Sequence, residues 1–282
     1  MSETIEINCK DCSNPVCCIF SNSELGQDLL IPNFPSYTSN NTCVTNAISF
    51  FNNKVSIDLK KCIYCGICQS RCIKNKQLLP NLFSRRKDEK YIISIDKIKL
   101  FFSKMSEARK HDAIIPNLIT RNLLLTQKIP AAILKKGVTS IRNDLLSKNF
   151  LCEIEFNDYG AGDILSIPRS LLDDVAVICS RYGKNINSFR KIAIIDRLPH
   201  IRSEYWEVIN DIKKVTGVKI ETITVLMLLA KIWTKDNYKN INSFDFYIDN
   251  NFLDYREKIA SKYCPEIDFS NIQKTEELDI IT

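Results

Sequence analysis

Apolar residues follow two different periods along the chain, and the period changes near residue 150. Between residues 91 and 150 they recur every three or four positions, in "YIISIDKIKLFFSKMSEARK" and more weakly in "AAILKKGVTSIRNDLL". This spacing is typical of helices that bury one face, so we expect this part of the chain to be mostly helical. Beyond residue 150, short apolar runs alternate with helical stretches.

The short runs "FLCEIEF", "RKIAIID" and "VKIETITV" are rich in β-branched residues, which favours strands. Helices are predicted in "IPRSLLDDVAVICSRYG", which begins near Pro168 and ends at Gly183, in "RSEYWEVINDIKKVTG", which ends at Gly217, and in "LMLLAKIW". This alternation predicts an α/β domain with a mainly parallel sheet over residues 150–282, with a polar tail at its end.

The first part of the chain contains more turn-forming residues. Residues 19–42 are rich in Pro, Ser and Asn and are predicted to form a loop, whereas residues 44–59 are predicted to form a short helix, a turn and a strand. The sequence therefore divides into three predicted parts, residues 1–75, 76–149 and 150–282. Trp206 and Trp233 are expected in the core.

Composition excludes several classes of protein. The chain has 282 residues, of which 45% are hydrophobic, so it can bury a real core. It contains no apolar run of about 18 residues, so we expect no membrane span. The first residues, "MSETIEINC", carry neither a basic nor an apolar leader segment, which predicts a cytoplasmic protein in a reducing compartment. Cysteines there are expected to be metal ligands or core residues rather than disulfides.

Cysteine is concentrated at one end of the chain. Nine of the twelve cysteines lie in the first 72 residues, namely Cys9, Cys12, Cys17, Cys18, Cys43, Cys62, Cys65, Cys68 and Cys72. The remaining three, Cys152, Cys179 and Cys264, lie in apolar surroundings and are expected to be core residues.

The segment "CIYCGICQSRC" at residues 62–72 has the spacing C-x2-C-x2-C-x3-C. Three thiolates at this spacing wrap one 4Fe–4S cluster, and the fourth cysteine of such a run binds a second cluster. Zinc is an alternative, but a third cysteine only three residues after the second is redundant for a tetrahedral ion. The spacing therefore favours iron–sulfur chemistry and requires more ligands elsewhere.

The longer segment "NTCVTNAISFFNNKVSIDLKKCIYCGICQSRCI" resembles the second half of a bacterial two-cluster ferredoxin. This resemblance covers about residues 7–73 and implies an α+β ferredoxin-like dicluster domain that transfers electrons to the rest of the chain or to a redox partner protein. It implies one 4Fe–4S cluster on Cys43, Cys62, Cys65 and Cys68. It implies a second 4Fe–4S cluster on Cys72, Cys9, Cys12 and either Cys17 or Cys18.

The chain departs from the ferredoxin pattern at three places. The first motif is C-x2-C-x4-C-C, and 24 residues separate Cys18 from Cys43 where the family has three. Val44 and Ile73 stand where the family usually has proline. These departures affect mainly the second cluster, and the choice between Cys17 and Cys18 stays open.

Charge is unevenly distributed, because residues 73–149 carry 17 basic against 6 acidic side chains, a net charge of +11. This basic helical segment can neutralise phosphates, present a solvated surface or dock an acidic redox partner. The candidate nucleic-acid contacts are Arg85, Arg86, Lys87, Lys97 and Lys104.

The segment "EIEFNDYGAGDILSIP" resembles the acidic strand pair of restriction-like nucleases, which hold a divalent ion with D-x(n)-E-x-K. Asp163 is the candidate aspartate, and Glu153 and Glu155 share one face of the predicted strand. No E-x-K sequence follows at the expected place, where "ICSR" stands instead. The alternative function is therefore a nucleic-acid-binding or nuclease-like protein in which the clusters are structural.

Overall fold

The structure is a computed structural model that describes residues 4–9, 15–26, 31, 34–72, 85–87, 90–92, 95–138, 143–156, 164–196, 199 and 203–234. The strands are β1 (Thr4–Asn8), β2 (Ile48–Phe51), β3 (Lys54–Asp58), β4 (Arg85–Lys87), β5 (Lys90–Ile92), β6 (Ala131–Ile133), β7 (Leu145–Ser147), β8 (Phe150–Glu155), β9 (Arg190–Ile195) and β10 (Ile220–Thr224). The helices are α1 (Asn22–Leu25), α2 (Ile67–Arg71), α3 (Ile95–His111), α4 (Ile115–Thr126), α5 (Ser166–Tyr182), α6 (Glu204–Thr216) and α7 (Val225–Thr234).

A small antiparallel sheet in the order β1-β3-β2 underlies the cysteine-rich part. Its β2–β3 turn places Asn52 and Asn53 at φ 48° and 59°, and two consecutive left-handed residues are what a two-residue hairpin turn requires. The strand predicted within residues 44–59 is confirmed as β3. The short helix predicted before it was wrong, because β2 occupies that place and pairs with β3.

A five-stranded sheet in the order β10-β9-β8-β7-β6 forms the rest of the fold. Strands β8, β9 and β10 are parallel and are connected through α5 and α6, whereas β6, β7 and β8 are antiparallel. The sheet is therefore mixed, which corrects the prediction of a mainly parallel sheet. The strands and helices predicted after residue 150 are confirmed, and Gly183 and Gly217 end their helices at left-handed φ values of 63° and 73°.

The basic segment is only partly helical. Helices α3 and α4 confirm the prediction for residues 95–126, but the helix expected in "AAILKKGVTSIRNDLL" was wrong, since β6 and β7 lie there. A three-residue buried run such as Ala131–Ile133 is too short for periodicity to distinguish a strand from a helix. These two strands extend the large sheet beside β8.

The two sheets share one continuous hydrophobic core. Val55 and Ile57 of β3 belong to the same buried cluster as the strands of the large sheet, and α4 packs between them against α2, α7 and β6. Trp206, Trp233 and Cys152 are buried as expected, Cys179 is half-buried, and Cys264 lies outside the described residues. No helix in the described part of the chain has the length and apolar character needed to cross a membrane.

Candidate metal centre

The loop that follows β3 carries the C-x2-C-x2-C run. The backbone N–H of Cys62 donates to Asp58 O (3.0 Å), and Tyr64 and Gly66 then adopt left-handed φ values of 56° and 76°. Helix α2 begins directly after Gly66, so Cys68 lies in its first turn. Ile63 and Ile67 anchor this loop, because both are buried in the core between the cysteines.

Cys43 reaches the same place from a different part of the chain. The bridge between Ile19 and Asn41 and the hydrogen bond from Thr42 N–H to Cys18 O (2.8 Å) hold its segment against the Cys17–Cys18 turn. The chain then turns at Asn46, with φ 53°, before β2 begins. Through this turn the Ala47 N–H donates to Cys43 Sγ at 3.2 Å.

Four thiols lie near enough to this loop to act on one another electrostatically. The side chains of Cys43, Cys62, Cys65 and Cys68 interact electrostatically in every pairing. All four retain some exposed surface, yet burial is the first cause that raises the pKa of the thiols of Cys62, Cys65 and Cys68. Burial, followed by the Cys43 thiol and Asp58, raises the pKa of Cys62 to about 11. Ionising Cys62, Cys65 and Cys68 together therefore requires a compensating positive charge.

The N-terminal cysteines form a second group beside the first. Cys9 follows β1 and its N–H donates to Asn53 O (2.6 Å), and the Cys18 thiol interacts electrostatically with Cys9. Cys17 is buried with its Sγ 3.8 Å from Cys18 Sγ, and this hydrogen bond is the first cause that lowers the pKa of Cys18 and raises that of Cys17. Cys12 lies outside the described residues.

Arg71 joins helix α2 to the Cys17–Cys18 turn. Its Nε donates to Val16 O at 2.7 Å, its Nη2 donates to Ile19 O at 3.3 Å, and its guanidinium carbon lies 4.0 Å from the ring centre of Phe20. Its Nη1 also donates to Glu24 Oε1 at 2.8 Å, which is the first cause that lowers the pKa of Glu24 to about 2. Because Cys72 is the next residue after Arg71, these contacts hold the end of helix α2 against the Cys17–Cys18 turn.

Two residues from distant elements support the cysteine loops, and the sequence analysis missed both roles. Asn122 Nδ2 in α4 donates to the carbonyls of Asn41 and Thr42, each at 3.0 Å. Trp233 Nε1 in α7 donates to Cys65 O at 2.8 Å. A buried asparagine within an apolar helix was a detectable signal, because such a side chain needs hydrogen-bond partners. Nothing in the sequence indicates the partner of Trp233.

The candidate phosphate-binding residues do not form one described surface. Arg85, Arg86 and Lys87 lie in β4, and their side chains lie outside the described part of the structure. On α3, burial lowers the pKa of the half-buried Lys97, and Lys104 pairs with Glu107 at 2.9 Å. Lys104 also acts electrostatically on Tyr64, so it lies beside the cysteine loop.

A group of carboxyls lies where helix α5 packs on the large sheet. Asp144 precedes β7, Glu153 is in β8 and Asp174 is in α5. Asp144 accepts hydrogen bonds from Asn117 Nδ2 (2.7 Å) and from the backbone of Ile154 (2.8 Å). Burial, followed by Asp144 and Asp174, raises the pKa of Glu153 to about 10, and burial raises the pKa of Asp144.

The structure therefore gives Glu153 an acidic neighbour that the sequence analysis did not name. Leu145 pairs with Cys152 across β7 and β8, so Asp144 and Glu153 are the next cross-strand pair. Asp163 and the whole "NDYGAGD" segment lie outside the described residues. Within the described ranges, no three His, Cys, Asp or Glu side chains come together in a way that could hold a metal ion.

Comparison with known proteins adds no further constraint on the function. Neither a family model, nor a curated protein, nor a solved structure matches the chain. The function is therefore argued from the residues and their geometry alone.

Proposed function

We propose that the chain is an iron–sulfur protein that carries two 4Fe–4S clusters and transfers single electrons to its own mixed α/β part or to a docked protein. The first cluster is held by Cys43, Cys62, Cys65 and Cys68. The second is held by Cys72 together with the N-terminal cysteines Cys9, Cys12 and Cys18. Each cluster supplies one-electron redox chemistry when bound.

The observation that carries this proposal is the mutual approach of the four thiols of the first set. Residue Cys43 is far from the other three in sequence, yet its thiol interacts with each of them. Burial disfavours ionisation of Cys62, Cys65 and Cys68, and the iron ions of a bound cluster would reverse that balance by favouring the thiolate form of the coordinating thiols. The Ala47 and Tyr64 N–H groups, which donate to Cys43 Sγ (3.2 Å) and Cys62 Sγ (3.4 Å), would stabilise the ligating sulfurs.

The spacing of the cysteines along the chain supports a cluster over zinc. A third cysteine only three residues after the second is redundant for a tetrahedral zinc ion, whereas in a 4Fe–4S cluster each thiolate binds a different iron.

The assignment of the second cluster follows the position of Arg71 and the Cys17–Cys18 turn. Cys18 is the better ligand of the two, because its thiol is only half-buried and interacts with Cys68, Cys9 and Cys43, whereas Cys17 is buried in the core. Cys72 follows Arg71, whose guanidinium binds this turn. In this crossed ligation, Cys72 at the end of the second cysteine run binds the same cluster as the N-terminal cysteines, while the rest of its own run binds the first cluster.

Anaerobic purification followed by metal and sulfide analysis tests the proposal. We expect about eight iron and eight sulfide per chain, with visible absorbance that dithionite bleaches reversibly. One or two zinc ions per chain without visible absorbance would end the proposal. About four iron per chain would retain only the first cluster.

Ligand replacement separates the two clusters. Cys65→Ser should remove the first cluster's paramagnetic signal, and Cys72→Ser should remove that of the second, although Cys72 follows Cys68 by only four residues. Cys179→Ser, outside both sets, serves as the control and should change neither signal. If Cys65→Ser and Cys72→Ser removed the same signal and spared the other, the crossed ligation would be incorrect.

A second candidate function is metal-dependent cleavage of nucleic acid at the large sheet, with the clusters as structural elements. The observation that favours it is the cross-strand placement of Asp144 opposite Glu153. Two carboxylates are sufficient for Mg²⁺ when substrate phosphate and water complete its coordination. The strand departs from the nuclease pattern, because Glu155 stands where that pattern has lysine.

Mg²⁺-dependent cleavage of plasmid DNA tests this second candidate. Asp144→Asn and Glu153→Gln should each abolish cleavage, and Asp173→Asn, which changes an exposed carboxylate on the same helix as Asp174, should not. Binding through the basic segment would also weaken with salt, with a log–log slope near about −0.9 per phosphate neutralised. Reversing Arg85, Arg86 and Lys87 to Glu should then reduce binding to every sequence alike.

A further inference from the structure

Arg121 in helix α4 places a positive charge in the core of the molecule. The residue is 0% exposed, and burial lowers its pKa only to about 10, so the guanidinium stays charged at neutral pH. Its Nε and Nη2 donate to Asn122 Oδ1 at 3.1 and 2.9 Å, and its Nη1 donates to Tyr37 O at 3.5 Å. All three hydrogen bonds therefore go to a neutral amide or a neutral carbonyl.

The described part of the chain provides no counter-ion for this charge, since none of its ion pairs includes Arg121. Other enclosed arginines are paired, because Arg190 binds Glu221 and Arg71 binds Glu24. A buried guanidinium destabilises a fold unless nearby negative charge compensates it. The chain therefore keeps an unfavourable charge in its core, which indicates that a negative group is brought to it.

The position of Arg121 points to the segment that presents Cys43. Asn122 Oδ1 accepts from the guanidinium, and Asn122 Nδ2 donates to Thr42 O at 3.0 Å. Thr42 directly precedes Cys43, so two hydrogen bonds in series connect the guanidinium to the residue beside a proposed ligand. Helix α4 also packs against α2, which carries Cys68. The charge thus lies behind the first set of cysteines.

We propose that Arg121 is the built-in counter-charge of the first cluster, the one assigned to Cys43, Cys62, Cys65 and Cys68. The inference rests on the proposed function. A 4Fe–4S cluster with four thiolate ligands has a net negative charge, which becomes more negative by one unit on reduction. An enclosed cation stabilises such a charge more than an exposed cation does, because the interior screens the interaction less than water. Arg121 acts through space and through Asn122, so it is a positioning residue and not a ligand.

Reduction of the first cluster isolates this electrostatic effect. Dithionite supplies one electron to the iron of the cluster and is itself oxidised, no bond to a protein atom forms or breaks, and no proton is taken up. The added negative charge interacts favourably with Arg121, so removing the cation should make reduction less favourable. A loss of packing or of hydrogen bonds weakens the oxidised and the reduced forms alike and leaves their ratio nearly unchanged.

The measurement is a redox titration of the purified full-length protein, monitored by the paramagnetic signal that Cys65→Ser removes. Two hydrogen bonds and one residue of backbone correspond to a separation on the order of 10 Å between the guanidinium and the cluster. At an effective dielectric constant of about 20, one unit charge at that distance changes an equilibrium constant by roughly tenfold. Arg121→Gln should therefore lower the reduction constant of the first cluster by about tenfold, which corresponds to about 59 mV for one electron. Arg121→Lys, which keeps the charge, should restore most of this loss.

Thr120→Val is the matched control for these variants. Thr120 is the preceding residue of the same helix, it is 0% exposed, and its hydroxyl has no hydrogen-bond partner among the described residues. The substitution therefore disturbs the same buried place without changing its charge. It should leave the reduction constant of the first cluster unchanged, and the second cluster should change much less than the first in every variant.

The outcomes separate the inference from the proposed function. If the purified chain holds no iron, the proposed function fails and the inference fails with it. If iron and sulfide are present but Arg121→Gln leaves the reduction constant unchanged, or Thr120→Val lowers it equally, only the inference is overturned. A shift of the second cluster as large as that of the first would also overturn it. Should Arg121→Gln lose the first cluster, retention of that cluster in Arg121→Lys supports the role of the charge, and its loss in both variants contradicts it.

Discussion

Asn122 joins helix α4 to the segment that presents Cys43, through hydrogen bonds from one side-chain amide to two carbonyls. Replacing it with Ala removes this donor from the Thr42 carbonyl in the buried region and from the Asn41 carbonyl at its edge. Each buried group left unsatisfied costs about 1–3 kcal/mol, so we expect Asn122→Ala to lower the free energy of unfolding by at least that amount. Urea denaturation measures the loss.

The matched control for this prediction is Asn22→Ala, because Asn22 is exposed at the start of α1. Exposed substitutions of this kind usually change stability by less than about 0.5 kcal/mol. Equal losses in the two variants would show that Asn122 contributes nothing beyond an ordinary surface residue. Iron content should also fall in Asn122→Ala, since its hydrogen bonds fix the residues directly before Cys43.

Glu153 makes stability depend on pH in a direction opposite to that of an ordinary surface carboxylate. Its pKa is raised to about 10 in the folded chain, against about 4.3 in the unfolded chain. Between these values the folded state binds the extra proton, so stability falls as pH rises, by up to about 1.4 kcal/mol per pH unit. Glu153→Gln removes this dependence.

We therefore expect the stability of Glu153→Gln to decline less than that of the unaltered protein between about pH 6 and about pH 9, measured by urea denaturation with EDTA present. Glu207→Gln, which changes an exposed carboxylate of α6, is the control and should follow the unaltered protein. Parallel pH profiles for all three proteins would show that Glu153 ionises as an ordinary carboxylate.

The β2–β3 hairpin is the element on which Cys9 depends, because the Cys9 N–H donates to Asn53 O. Asn53 has φ 59°, a left-handed conformation that costs a residue with a Cβ atom roughly 1–2 kcal/mol unless it is Gly or Asn. Asn53→Ala should therefore destabilise the protein by about 1 kcal/mol, and Asn53→Gly should be neutral or stabilising. Thermal unfolding compares the two variants, and a lower melting temperature for Asn53→Gly than for Asn53→Ala would contradict the turn geometry.

Elements with strong local signals were predictable from the sequence. Helices α5 and α6 carry an apolar stripe and a terminal glycine, and β8 to β10 are rich in β-branched residues, so local patterns identified them. In the β2–β3 hairpin, β3 was predicted but β2 was not. The segment "VTNAISFF" has apolar residues at helical spacing, and only its pairing with β3 makes part of it a strand. Strands β6 and β7 were missed for the same reason, since sheet pairing is not visible in a short apolar run.

The two cysteine ligand sets come from the spacing of cysteines along the chain and from the ferredoxin resemblance, and they stay predictions. The spacing could not predict which residues elsewhere in the chain hydrogen-bond to the cysteine loops. Arg71, Asn122 and Trp233 reach their partners across 47 to 168 residues, and such contacts leave no periodic trace in a single sequence. The carboxyl pair of Asp144 and Glu153 was also missed, because only the β7–β8 register brings it together.

Considered as a whole, the described part of the chain has two larger sheets that share one hydrophobic core, besides the short β4–β5 pair. Elements that share a core usually unfold together, so we expect one cooperative transition. In a single thermal scan, loss of the visible cluster absorbance and loss of the far-ultraviolet helix signal should have the same midpoint. Separate midpoints would show that the cysteine-rich part unfolds independently of the large sheet.

The hydrogen bond from Trp233 to the carbonyl of Cys65 has a consequence for the order of events during synthesis. The two residues are 168 positions apart, so at about 5–20 residues per second the ribosome adds the tryptophan on the order of 10–30 s after the cysteine. Throughout that interval the emerging thiols are exposed to oxygen and to stray metal ions without their final enclosure. If the proposed clusters form, delivery of iron and sulfide to this chain is therefore best timed to the synthesis of α7, whose tryptophan then binds the cysteine loop.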